Sequence, residues 1–99
     1  MIISRNVEFS DSAQDFLRRA QISEHDDRIQ AIIWYLKHDT RLSALRPVSQ
    51  TRSGEQLFAY RTAATRFHPS LVAYLTVSGS FQHVVVQAFL LPVPRDDSE

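Results

Sequence analysis

The spacing of apolar residues changes character twice along this chain, and each change marks a boundary between kinds of structure. Ile3, Arg5, Val7 and Phe9 alternate with Ile2, Ser4, Asn6 and Glu8, which predicts a first strand with one mostly apolar face, ending at Ser10-Asp11. The period then lengthens. Ala13, Phe16, Leu17 and Ala20 fall at i, i+3, i+4 and i+7, with Gln14, Asp15, Arg18 and Arg19 between them, so a helix capped by Ser10 or Asp11 is expected to run to about Gln21. A second helix follows, with Ser23 as its expected cap and Asp26 three residues on as a weak capping box. Ile29, Ile32, Ile33 and Leu36 form its buried stripe, and it ends near His38. Trp34 and Tyr35 stand beside that stripe, either widening the core face or forming a surface patch for a partner.

From Asp39 to Glu55 the periodicity is lost. Pro47, Gly54 and several serines, threonines and arginines predict a connector with one helical turn at Leu42 to Leu45, and loops of this length are disproportionately functional or mobile. Alternation then returns. A second strand carries Leu57, Ala59, Arg61 and Ala63 on one face against Phe58, Tyr60 and Thr62 on the other. Phe67-His68-Pro69 reads as a corner, since proline disfavours helix before it and cannot donate within a central ladder. A third strand sets Leu71, Ala73, Leu75 and Val77 against Val72, Tyr74 and Thr76. After Ser78-Gly79-Ser80, a fourth contains Val84, Val85 and Val86 in a row, as in a strand buried on both faces. Leu90-Leu91-Pro92 ends the fold.

Strand, helix, helix and three strands make an α+β domain, β-α-α-β-β-β, with a small, mostly antiparallel sheet and both helices on one face. Residues 1–92 form this single domain and 93–99 an acidic, flexible tail. The expected core sets Phe16, Leu17, Ile29, Ile32, Ile33 and Leu36 against Leu71, Ala73, Leu75, Val77, Val85 and Phe89.

Composition narrows the chemistry. A domain of 99 residues buries roughly two-thirds of the surface its unfolded chain exposes, so no staple is needed to hold it. The absence of cysteine excludes thiolate catalysis, zinc-thiolate sites and disulfides, and suits a reducing cytosol. No apolar run is long enough to cross a bilayer, and Arg5 and Glu8 interrupt any signal pattern, so the expectation is an unprocessed cytoplasmic protein with no membrane partner. With glycine only at positions 54 and 79, and no G-x-S-x-G elbow, phosphate-loop, dinucleotide and serine-hydrolase readings fall away.

Net charge is zero, but it is unevenly spread: Lys37, Arg41, Arg46, Arg52, Arg61 and Arg66 lie in one stretch that holds only Asp39 and Glu55 as acids. Such a run is either an ordinary solvated helix surface and loop or a basic groove for phosphates. Ten of the eleven basic residues are arginine, whose planar fork suits phosphate and base edges. The four histidines, His25, His38, His68 and His83, have no H-E-x-x-H spacing, so neither a metal nor a cofactor is expected. His68, in the corner beside Arg66, is the one suited to acid-base work.

The order of these elements and several of their sequences resemble the RelE/ParE superfamily of bacterial toxins over nearly the whole chain. The resembling segments are a first strand ending VEFSDSA, a helix AQDFLRRA, a second helix ending LKHD, a strand LFAYR, and a meander SLVAYLTVSGSFQHVVVQAF. The resemblance implies a toxin of a toxin-antitoxin module, with a cognate antitoxin as partner and self-pairing when it is alone. It implies one of two targets: messenger RNA on the ribosome, cut without metal, or DNA gyrase. Arg61 matches the arginine that members often carry near the end of their second strand. Departures are also visible. Ser70-Leu71-Val72-Ala73-Tyr74 keeps a tyrosine but lacks the usual strand-three arginine, and Ala88-Phe89-Leu90-Leu91-Pro92 lacks the usual basic end of strand four. On the enzyme reading Arg61, Arg66 and His68 form the catalytic set and Lys37, Arg41, Arg46 and Arg52 bind RNA phosphates. The alternative is a binding protein of the same fold without catalysis.

Overall fold

The computed structural model describes residues 5–39, 41–64, 66, 69–78 and 82–91. It contains β1 (Asn6–Phe9), α1 (Asp11–Arg19), α2 (Asp27–His38), β2 (Arg46–Gln50), β3 (Gln56–Arg61), β4 (Val72–Val77) and β5 (His83–Leu90). The α+β class is as expected, with one addition: β2 occupies the middle of the predicted connector, so the order is β-α-α-β-β-β-β. The five strands form one sheet in the order β1-β5-β4-β3-β2, antiparallel throughout except that β1 runs parallel to β5.

Both helices pack on one face of this sheet. Ala13 and Leu17 of α1 and Ile29, Ile32 and Leu36 of α2 join Leu71, Ala73, Leu75, Val84, Val86 and Phe89 in the buried core. Phe89 is gripped by two rings, edge-on by Phe9 at 5.6 Å and stacked by Phe16 at 5.9 Å, which ties β1 and α1 to β5. At the far side of the sheet Tyr35 of α2 stacks on Tyr60 of β3, with centroids 4.6 Å apart and planes 7° from parallel. Tyr35 thus belongs to the core and its neighbour Trp34 to the surface, where it is 66% exposed. The helix period separates them: the stripe through Ile32 and Leu36 includes position 35 at its edge and leaves 34 outside.

Ser10 caps α1 and also fixes it to the sheet. Its hydroxyl accepts from the Ala13 N–H (3.1 Å) and donates to the Gln87 carbonyl (2.8 Å), while its own N–H donates to the Val86 carbonyl (2.9 Å). Gln87 is the extra residue of a bulge, since Val86 pairs with Leu75 and Ala88 with Tyr74. The bulge corrects the expected facing of β5. Val84, Val86 and Phe89 point inward and Val85 outward, because the bulge shifts the parity between Val86 and Phe89. Ser10→Ala removes the cap and leaves the bulge carbonyl without its donor. It is expected to destabilise the fold by about 1–3 kcal/mol, read as a lower urea midpoint. An unchanged midpoint would show that the junction bears no load.

The α2 cap is also corrected. Asp26, not Ser23, caps the helix, accepting from the Arg28 N–H at 2.9 Å, while the Ser23 hydroxyl closes a turn by accepting from the His25 N–H at 3.0 Å. His25 therefore precedes the helix. At its other end α2 is met by Arg5, whose guanidinium donates to the Leu36 carbonyl at 3.3 Å and to that of Asp39. Leu42 follows with φ +51, its side chain buried and its N–H held by the Asp39 carboxylate at 2.7 Å. The predicted helical turn at Leu42 to Leu45 is here a single hydrogen-bonded turn of 3.1 Å. Gly54, with φ +88, makes the left-handed turn of the β2–β3 hairpin, where its N–H donates to Thr51. Ile2, Ile3, Phe67, His68, Gly79, Ser80 and the tail 93–99 lie outside the described residues.

Candidate functional site

The helices cover one face of the sheet and, among the described residues, no element packs on the other, whose residues follow from the pairing registers. Leu57, Ala59 and Arg61 of β3 stand beside Thr76, Tyr74 and Val72 of β4, and Ala88 and Leu90 of β5 continue the rows of Tyr74 and Val72. On β2, Arg46 pairs with Ala59, and a bulge at Val48 then returns Ser49 to the outer face opposite Leu57. One row therefore reads Arg46, Ala59, Tyr74, Ala88, and the next Arg61, Val72, Leu90.

This register brings two of the predicted cations together. Arg46 and Arg61 are diagonal neighbours across β2 and β3, a spacing of about 7–8 Å along the sheet. Both are exposed, and among the described residues neither forms an ion pair. Two arginines anchored on one face at this spacing can direct both guanidiniums to a single bound anion. Half-buried Tyr74 adds an aromatic ring in the row that begins with Arg46.

Arg61 is held from the side. Its Nε donates to the buried Ser70 hydroxyl at 3.2 Å, which leaves both terminal nitrogens for a ligand. The β3–β4 connection is closed just beyond, where the Thr62 N–H donates to the Leu71 carbonyl (2.9 Å) and the Leu71 N–H to the Thr62 hydroxyl (2.9 Å). Arg66 is exposed within that connection, five residues past Arg61. His68, the predicted acid-base residue, lies outside the described residues.

The remaining predicted cations are spread over three other places. Lys37 borders a groove of about 570 Å³ between α1, α2 and β1, lined by Val7, Phe9, Leu17, Ile22 and Ile33, with Arg18 and Glu24 also on its rim. Arg41 shares a shallow depression with Trp34 and His38, whose rings are 5.1 Å apart. Both sites belong to the helix side of the sheet. Arg52 is in the β2–β3 turn, beyond the opposite end of β3 from Arg61, which the strand's five steps place at more than about 17 Å.

His83 is an outer-face residue that the sequence did not single out for chemistry. Its Nε2 is 3.3 Å from Glu8 and its Nδ1 3.1 Å from the Asn6 side-chain amide, so both ring nitrogens are engaged. It begins β5, seven residues from Leu90, whose row contains Arg61. At the ordinary strand rise that is about 23 Å, so His83 and Arg61 do not act on one phosphate. Tyr35 and Tyr60 are excluded as bases for a different reason: burial holds both phenols above the usual tyrosine range, and they remain neutral at physiological pH. Among the described residues no three histidine, aspartate or glutamate side chains come together as metal ligands, and no helix is long and apolar enough to cross a membrane.

Sequence reasoning named both Arg61 and Arg46 as candidates but not the strand pairing that sets them on one face. Arg46 was read as a connector residue, and the only local sign of its strand was Pro47-Val48 between polar neighbours, a composition tolerated at a sheet edge. Neither a protein-family model nor a curated protein matches the chain.

Proposed function

We propose that this protein is an RNA-directed toxin of the RelE/ParE type, a metal-independent ribonuclease acting on messenger RNA at the ribosome. The observation that carries the reading is the pairing of Arg46 and Arg61 beside Tyr74 on the uncovered face of the sheet. Two unpaired guanidiniums suit a phosphodiester, and an adjacent aromatic ring suits an unstacked base. In this reading Arg61, fixed through Ser70, stabilises charge on the scissile phosphate, and Arg46 binds the neighbouring one. Arg66 and His68 remain the candidates for the second cation and the acid-base group.

The partner that neutralises such a toxin is a polypeptide segment of acidic and apolar residues. The groove between α1, α2 and β1 supports this, with its apolar lining and with two cations, Lys37 and Arg18, against one acid, Glu24, on its rim.

A second reading has its own observation. Val72 and Leu90 continue the row of Arg61 across the outer face, with no further cation in that row among the described residues, which suits a non-catalytic protein that grips gyrase or another partner through an apolar sheet face edged by arginine. The test is controlled expression in a bacterial host, with growth, new messenger 5′ ends and supercoiling followed together. The ribonuclease reading expects growth arrest with new ends inside translated messages and unchanged supercoiling. Loss of supercoiling without new ends transfers the assignment to the binding reading. No effect on any of the three rejects both.

A further inference from the structure

Arg28 is an arginine with almost no access to solvent, 6% exposed, and each of its three side-chain nitrogens donates to an acceptor within the chain. Its Nε and Nη2 bind the two carboxylate oxygens of Asp26 at 3.0 and 3.1 Å, and its Nη1 donates to the Pro69 carbonyl at 3.1 Å, 41 residues away. Capping does not require this fork, because the Asp26 carboxylate already accepts from the Arg28 backbone N–H. Nor is it an economical source of stability, since desolvating two charges offsets most of their attraction. What the fork adds is a fixed position for Pro69.

Pro69 precedes Ser70, the residue whose hydroxyl accepts from Arg61 Nε. On the other side of Ser70, Leu71 is fully buried and is held by Thr62 through both of its backbone groups. The chain is therefore clamped immediately before and immediately after Ser70, and only the Arg28 clamp comes from the helix layer.

We propose that the Asp26–Arg28 pair is a positioning latch for Arg61. It acts through Pro69 and Ser70 to hold the Arg61 guanidinium with its two terminal nitrogens presented on the outer face. Arg28 touches no substrate and is a positioning residue. The inference deepens the ribonuclease reading and rests on it for its functional meaning, while the latch itself is a property of the protein alone. A preorganised fork lowers the cost of orienting the charge against a phosphate, so the latch acts on the rate of the chemical step more than on RNA affinity.

The test uses three variants of the full chain. Asp26→Asn with Arg28→Met removes both charges together and leaves neither unpaired. Arg28→Lys keeps a paired charge but lacks a fork able to reach Asp26 and Pro69 at once. Ser70→Ala removes the last link. Two measurements are made on each variant that unfolds cooperatively: water exchange of the Arg61 Nε–H by nitrogen-15 NMR on the protein alone, and single-turnover cleavage of ribosome-bound messenger alongside the dissociation constant for RNA. The expected result is exchange faster by about tenfold in all three, the size that loss of one charge-assisted hydrogen bond gives. Cleavage should slow by roughly tenfold, with RNA affinity changed by less than about twofold. Unchanged exchange in a folded Arg28→Lys or double variant overturns the latch, whatever the activity of the wild type. Faster exchange with a wild type that cleaves nothing supports the latch and rejects the ribonuclease reading. Equal losses of rate and affinity contradict the positioning role.

Discussion

Arg61→Ala is expected to lower cleavage of ribosome-bound messenger by about a hundredfold or more while leaving the fold intact, as the loss of one preorganised charge donor commonly does. The fold should tolerate the change because Arg61 is exposed, ends its strand, and among the described residues forms one side-chain hydrogen bond, to Ser70. Arg46→Ala should act differently. It lies diagonally across the strand pair on the same face, so its loss weakens RNA binding and flattens the salt dependence more than it slows the chemical step. Arg52→Ala, in the turn beyond the opposite end of β3, serves as the control and should leave the rate near that of wild type. Rates of the three variants under single-turnover conditions, with circular dichroism to establish folding, check the ordering. Equal activity of the Arg61 and Arg52 variants would remove Arg61 from the chemistry.

The second large effect concerns the core. Ile32 and Ile33 are adjacent and identical in composition, but Ile32 is fully buried against the sheet while Ile33 is half-buried on the groove wall. Ile32→Ala should therefore cost about 2–5 kcal/mol, the transfer energy of the lost atoms plus the cavity they leave. Ile33→Ala should cost roughly 1 kcal/mol, since water already reaches that site. In a domain of this size the first change lowers the melting temperature by about 10 °C or more. Equal shifts for the two variants would mean that α2 is rotated from the orientation described.

How far the sequence could be read follows from where its signals are local. Both helices were legible because Ala13, Leu17, Ile29, Ile32 and Leu36 repeat at helical spacing and bury their stripe. The inward set Leu71, Ala73 and Leu75 was equally plain, because that strand alternates without interruption. The strand at Arg46–Gln50 was not, for an edge strand exposed at all five positions carries no alternation of apolar residues to detect. The three consecutive valines of β5 hid its facing. Val85 fits either parity, and only the bulge at Gln87, held by Ser10 some 77 residues away, decides which. The parallel partnership of β1 and β5 joins the two ends of the chain and leaves no trace in either segment alone.

The candidate site divides along the same line. Arg61 was visible as the arginine closing an apolar strand, and Tyr74 as the tyrosine of the next one. Their relation to Arg46 depended on the strand that went undetected. The run of cations from Lys37 to Arg66 looked continuous in sequence, yet the fold places Lys37 on the groove rim, Arg41 beside Trp34 and Arg52 in a hairpin turn. Proximity along a chain that turns back between successive elements is a poor guide to a shared surface. The Arg28 latch was hidden for a further reason. An arginine in the first turn of a helix reads as solvated surface, and its burial here depends on a connection 41 residues downstream.

The most direct test of the central claim is genome-wide mapping of messenger 5′ ends shortly after induction of the wild-type protein, with Arg61→Ala expressed to the same level. The ribonuclease account predicts new ends at positions within translated frames for the wild type, reduced by about a hundredfold for the variant. An identical pattern of ends in the two strains, or none in either, would contradict it.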